Sequence, residues 1–172
     1  MNHSFTVEKY IEAKNSGIYG FDLNEQQTLL SAWRLFRNKY LEFSGCLYFE
    51  NCGFDIQHRG TCYGVESADG ENNYHTHPMS DPLPSVSDLK SSLHKDGYTY
   101  IIGERFVARY RQGSYLKSVI CKIKKDCRFY FQTIDEILSS KQFSPESMEC
   151  LYLVKYGMII SIIDMESLTQ SI

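Results

Sequence analysis

Val7, Tyr10 and Ile11 recur at helical spacing behind Thr6, a residue suited to cap a helix, and the run stops at Asn15-Ser16-Gly17. A stronger stripe follows in Leu29, Leu30, Trp33, Phe36 and Tyr40, with Asn24 and Gln27 placed as a capping box. This predicts a helix over residues 25 to 40 whose apolar face is explained by core packing. After Glu42 the period changes. Strands are predicted over 44 to 50, 56 to 66 and 73 to 77, with turns at Asn51-Cys52-Gly53 and Ala68-Asp69-Gly70. Pro84 breaks the chain before Ser85, and Val86, Leu89 and Leu93 form the stripe of a short helix with Asp88 in its first turn. Tyr98 to Ile102 and Arg105 to Tyr110 read as two more strands joined at Gly103-Glu104, and Ser118 to Ile123 as a third.

Beyond Lys124 the pattern is less decisive. Thr133 to Leu138 suits a short helix, and Ser144-Pro145-Glu146 is a good helix start. Leu151 to Tyr156 and Met158 to Ile163, around Gly157, are also compatible with a pair of strands. The alternation of helices and strands predicts an α+β fold: one mixed, mostly antiparallel sheet flanked by helices, in a single domain over 1-172. The segment 125-172 is left to complete the sheet, cover one face or meet a partner.

Composition narrows the class. A chain of 172 residues, 42% hydrophobic and 23% charged, can bury an ordinary core. A net charge of -3 and a pI near 5.9 leave no electrostatic footprint for nucleic acid, and no polybasic run marks a membrane surface. The first residues lack the basic and apolar regions of a signal peptide, so a soluble, cytoplasmic protein is expected. Six cysteines, without a Cys-x-x-Cys pair, are then expected to be free thiols.

The candidate chemistry lies in Tyr74-His75-Thr76-His77-Pro78 and the following Ser85-Val86-Ser87-Asp88. On a strand, residues two apart point the same way, so His75 and His77 converge while Thr76 faces away. With the Asp88 carboxylate they form a set suited to one zinc ion with a position left for water. Ser85 and Asp88 also have a purely structural reading as a capping box. The two readings are compatible, because a capped helix holds Asp88 still.

His75-x-His77 followed by Ser85-x-x-Asp88, with Glu42-Phe43-Ser44-Gly45-Cys46-Leu47 upstream, resembles the signature of the JAMM (MPN-plus) zinc metallopeptidases. The resemblance covers residues 24-112. It implies one Zn2+ per chain held by His75, His77 and Asp88, with Glu42 as general acid/base and Ser85 as donor to the oxyanion. Here Tyr48-Phe49 follows the Gly-x-Leu run where the family often has a glycine, so Glu50, Glu66 and Glu71 remain substitutes for Glu42. Asn72 and Asn73 stand where the family has an apolar and a glycine residue.

The family mostly cuts isopeptide or peptide bonds after the tail of ubiquitin or a ubiquitin-like protein. The short run between Glu42 and His75 leaves little room for ubiquitin-holding insertions. The resemblance therefore implies a compact bacterial or viral type acting on a ubiquitin-like or sulfur-carrier protein, or on another extended peptide tail. Two alternatives stay open: a catalytically silent MPN-type interaction scaffold, and a JAMM-like toxin-associated peptidase.

Overall fold

The computed structural model describes residues 6–93, 95, 97–111, 116–125 and 144–171. Its helices are α1 (Val7–Asn15), α2 (Leu23–Phe36), α3 (Val86–Ser92), α4 (Leu116–Lys125), α5 (Pro145–Tyr156) and α6 (Met165–Gln170). Its strands are β1 (Phe43–Tyr48), β2 (Gly53–Phe54), β3 (His58–Arg59), β4 (Asn73–Thr76), β5 (Tyr98–Ile102), β6 (Phe106–Arg111) and β7 (Ile160–Asp164). They form one sheet in the order β2-β1-β4-β5-β6-β7, with β3 also paired to β1. Every pairing is antiparallel except β4 with β5. A parallel pair needs a crossover, and α3 lies in it. The predicted α+β fold with a mixed, mostly antiparallel sheet is the fold observed.

Alternation along the strands builds two cores. Leu47, Tyr74, Tyr100, Ile102 and Val107 pack with Leu29, Leu30, Trp33 and Phe36 of α2 and Met165 of α6. Ile101, Ala108, Tyr110, Ile160 and Ile162 face the opposite way, onto Leu89 of α3, Val119, Ile120 and Ile123 of α4, and Met148 and Tyr152 of α5. The sheet is thus covered by helices on both faces. Among the described residues, no helix is long and apolar enough to cross a membrane.

Several predicted boundaries move, each for a local reason. Helix α2 is capped by Asp22, not Asn24: the Asp22 carboxylate accepts from Glu25 N at 2.8 Å, and Glu25 Oε1 accepts from Asp22 N at 3.3 Å. A carboxylate at the N-cap satisfies the orphan amide and suits the helix dipole, so the helix begins before Asn24. It ends at Phe36, leaving Tyr40 71% exposed and outside the apolar stripe.

The expected strand over 56 to 66 reduces to β2, ending just before it, and β3 within it. Beyond Arg59 the chain folds back, with Thr61 N donating to Gly64 O at 2.9 Å. A Cβ at Gly60 would collide with Gly64 O, so this glycine permits the reversal.

Residues 118 to 123 are helix, not strand. Val119, Ile120 and Ile123 are buried together while Ser118, Cys121 and Lys122 are exposed, a 3.6-residue period that the β-branched composition disguises. The predicted helix at Thr133 to Leu138 lies outside the described residues. In the tail, Leu151 to Tyr156 continue α5 instead of forming a strand. The helix stops where Gly157 enters the left-handed region at φ 66°, with Gly157 N donating to Leu153 O and Met158 N to Tyr152 O. Strand β7 then pairs with β6, so the tail completes the sheet and supplies Met148, Tyr152, Met158 and Ile160 to its core.

A buried charge network ties the amino-terminal residues to the sheet. Arg109 Nη1 and Tyr100 Oη both donate to Glu25 Oε2 at 2.8 Å, and Arg109 Nη2 donates to the carbonyls of Ile18 and Gly20. The guanidinium also lies over the rings of Phe21 and Tyr98. Glu25→Ala leaves this buried cation unpaired and is expected to cost about 3–5 kcal/mol. Urea unfolding checks it, and a loss below about 1 kcal/mol contradicts a structural role for the pair.

Candidate metal centre

Strand β4 and helix α3 present the three candidate donors. His75 lies in β4, His77 just after it, and Asp88 in the first turn of α3. His75 Nε2 is 3.2 Å from His77 Nε2 and 3.3 Å from Asp88 Oδ1, and His77 Nε2 is 3.2 Å from Asp88 Oδ2. The side chains are recessed, 16% exposed for each histidine and 20% for Asp88. One ligand atom from each lies within 4.8 Å of the others, so the triad could hold a metal ion.

The supporting bonds fix this convergence. His77 Nδ1 is 2.9 Å from Asp81 O. A carbonyl only accepts, so Nδ1 carries the hydrogen and Nε2 of the neutral ring turns its lone pair to the centre of the triad. Ser85 caps α3: Asp88 N donates to Ser85 Oγ at 3.1 Å, and Ser85 N donates to Asp88 Oδ2 at 2.9 Å. The capping box and the donor arrangement therefore coexist. Between His77 and Asp81, Met79 has φ 54°, a strained conformation for this side chain.

Burial pushes the Asp88 carboxyl upward, but hydrogen bonds from His75 and from the doubly protonated ring of His77, reinforced by their charges, hold it well below the usual carboxylate range. Burial pulls His77 down, yet the Asp88 hydrogen bond and charge, the Asp81 carbonyl and the charge of Glu42 leave it raised overall. Such a site favours cations.

Glu42 reaches this centre from the other side. Ser44 pairs with His75 in the antiparallel register of β1 and β4, so two residues further out Glu42 comes opposite His77. The entry to β1 is fastened by Phe43 N donating to Thr76 Oγ1 at 3.0 Å and Glu42 N donating to Thr61 O at 2.9 Å. Thr76, buried and turned away from the donors, thus serves backbone shape. Gly45 lets the chain pass Asp55, whose carbonyl a Cβ would strike. Burial raises the Glu42 carboxyl above its ordinary value, against the lowering effect of His77 and His75 and with a further rise from Asp88.

The five candidate residues line one cavity of about 380 Å3. One wall is the segment 62 to 68, the other is α3 with Ser87, Ser91 and Ser92, and Asn73 and Thr99 contribute to its floor. Glu66 also lines it, but its side chain is 83% exposed and lies 3.3 Å from His58 Nδ1. Glu50 and Glu71 are exposed and lie outside the lining. Of the four carboxylates, Glu42 is the one held beside the donors.

Apart from Glu66, the wall 62 to 68 was not singled out by sequence, nor were Thr99 and Lys95. Alternation along β4 puts Asn73 on the side of His75 and His77, a signal available in the sequence. No comparable signal links the wall to the site.

Cys46, Cys52, Cys62, Cys121 and Cys150 are free, and Cys127 lies outside the described residues. Thiol titration of denatured protein without reductant is expected to count six. Four or more blocked thiols would contradict the expectation.

Comparisons with family models, with curated proteins and with solved structures find no match to this chain. Fold and site together define an α+β protein with a three-donor centre able to hold a metal ion.

Proposed function

We propose that the chain is a zinc metallopeptidase of the JAMM type, hydrolysing a peptide or isopeptide bond after the carboxyl-terminal tail of a ubiquitin-like or sulfur-carrier protein. The observation carrying this reading is that Glu42, far from the donors in sequence, lines the same recessed cavity as His75, His77 and Asp88, with Ser85 at its edge. A tetrahedral zinc about 2.0–2.1 Å from each nitrogen and oxygen ligand separates those atoms by about 3.3 Å. The two histidine nitrogens, 3.2 Å apart, suit that geometry, and Asp88 turns one oxygen toward each of them, at 3.3 and 3.2 Å.

Zinc bound there supplies Lewis acidity, lowering the pKa of a water toward about 7. Glu42 accepts a proton from the attacking water and returns it to the departing amine. Burial raises its carboxyl above the ordinary value, the direction that helps a group hold the proton it must hand on. Ser85 Oγ accepts from Asp88 N, which leaves its hydroxyl hydrogen to donate to the carbonyl oxygen as charge develops, a contribution typically worth about 3 kcal/mol. His75, His77 and Asp88 would hold the ion, with His77 oriented by the Asp81 carbonyl. A tail entering the cavity in extended form would offer its main-chain groups for hydrogen bonding.

Hydrolysis of conjugates of ubiquitin-like proteins by the purified chain tests the reading. Activity is expected to disappear with a chelator and to return with stoichiometric zinc. Undiminished cleavage after complete zinc removal would refute the metal mechanism.

A further inference from the structure

The cavity extends beyond the candidate catalytic groups. Along its floor, β4 carries Asn73 on the face of His75, about 7 Å away on a strand. Thr99 of β5 is paired with Asn73. Along one wall, α3 leads from Asp88 to Ser92, and Lys95 follows beyond its end, its amide donating back to Ser92 O at 3.2 Å. The Cys46 thiol that accepts from Asn73 also acts electrostatically on Lys95, which places the ammonium near the level of Asn73, about 7 Å along β4 from His75. The Lys95 ammonium donates across to the carbonyl of Ala68 on the opposite wall, tying the two walls together.

Lys95 lines this cavity beside Asn73, Thr99 and Ser92. The other charged side chains of the lining are Glu42, Glu66 and Asp88, all acidic, and the two histidines belong to the candidate metal centre. An ammonium has three donors, of which Ala68 O takes one. Asn73 Nδ2 is committed to Cys46 Sγ at 3.3 Å. Burial pulls the lysine's pKa down, partly opposed by the charges of Asp69 and Cys46. A partly desolvated cation with donors to spare is best completed by an anion entering from the cavity.

We infer that Lys95 is a specificity-determining residue that receives a carboxylate carried by the substrate two to three residues from the scissile bond. At about 3.3 Å per extended residue, that spacing bridges the distance from the triad to Lys95. The carboxylate is either an acidic side chain of the tail or the α-carboxylate of a short carboxyl-terminal extension. This inference rests on the peptidase reading and names the substrate class of the same site.

The test uses zinc-loaded full-length protein and fluorescently labelled glycine-rich peptides, with binding read by polarisation. One pair carries Glu or Gln two residues before the scissile bond. The other has a free or amidated carboxyl terminus two residues after it. The native protein is expected to bind the carboxylate form of one pair about tenfold tighter than its neutral counterpart, and that pair identifies the source. Lys95→Met is expected to bring the ratio close to one, and Lys95→Arg to restore it.

A ratio near one for both pairs in the native protein, including no measurable binding of any peptide, would overturn the inference. So would an equal loss for charged and neutral forms in Lys95→Met, the signature of a wall strut alone. Turnover is followed on the same peptides: a Lys95-dependent preference without cleavage rejects the peptidase reading while leaving carboxylate recognition standing.

Discussion

Glu42→Gln is expected to retain zinc and a native melting temperature, while turnover on the proposed substrate falls by about two to four powers of ten. Glutamine preserves the shape of the side chain but cannot shuttle a proton. The backbone bonds holding this position, from Glu42 N to Thr61 O and from Gly60 N to Glu42 O, do not involve the carboxylate. A variant that binds the tail but fails to cut it should therefore trap its target. The matching change at Glu50, Glu66 or Glu71 is expected to leave turnover nearly intact. Metal analysis, thermal melts and single-turnover kinetics on all four variants provide the measurement. Unchanged cleavage by Glu42→Gln, with one of the others inactive, would transfer the proton-transfer role to that residue.

His77→Ala and Asp88→Ala are expected to reduce zinc from about one ion per chain to a small fraction, since two remaining ligands do not make a stable site. Asp88→Ala also removes the capping bond from Ser85 N, so loss of the helix start must be separated from loss of a ligand. Ser85→Ala supplies that control. It removes the side-chain acceptor for Asp88 N and is expected to cost about 1 kcal/mol of stability while retaining zinc. Elemental analysis after dialysis gives the answer, and full occupancy in both ligand variants would refute the assignment.

Strand β5 and the start of α3 were legible because their signals are local: a compact apolar run between turn residues, and a serine cap after proline. The convergence of His75, His77 and Asp88 was legible for the same reason, since pleat and cap alone orient all three. Helix α4 was not, because Val119, Ile120 and Ile123 satisfy strand composition, and only burial against α3 and α5 decides for the helix. Asp22 was overlooked in favour of Asn24 because both residues make good caps. The bond to Glu25, itself held by Arg109 and Tyr100, involves residues remote in sequence. The cavity wall at 62 to 68 was read partly as strand because its reversal depends on the close approach of Gly60 to Gly64. The position of Glu42 opposite His77 follows from the pairing of β1 with β4, a long-range fact without a local signature.

The β4-α3-β5 crossover holds all three metal donors, whereas Glu42 enters from a separate strand. Closing a loop of roughly a dozen residues between His75 and Asp88 costs little chain entropy compared with assembling the whole sheet. The candidate ion site is therefore local in the chain, whereas bringing Glu42 to it requires the sheet. During synthesis the crossover emerges before β7, so a nascent chain acquires its complete donor set while the far edge of its sheet is still unmade.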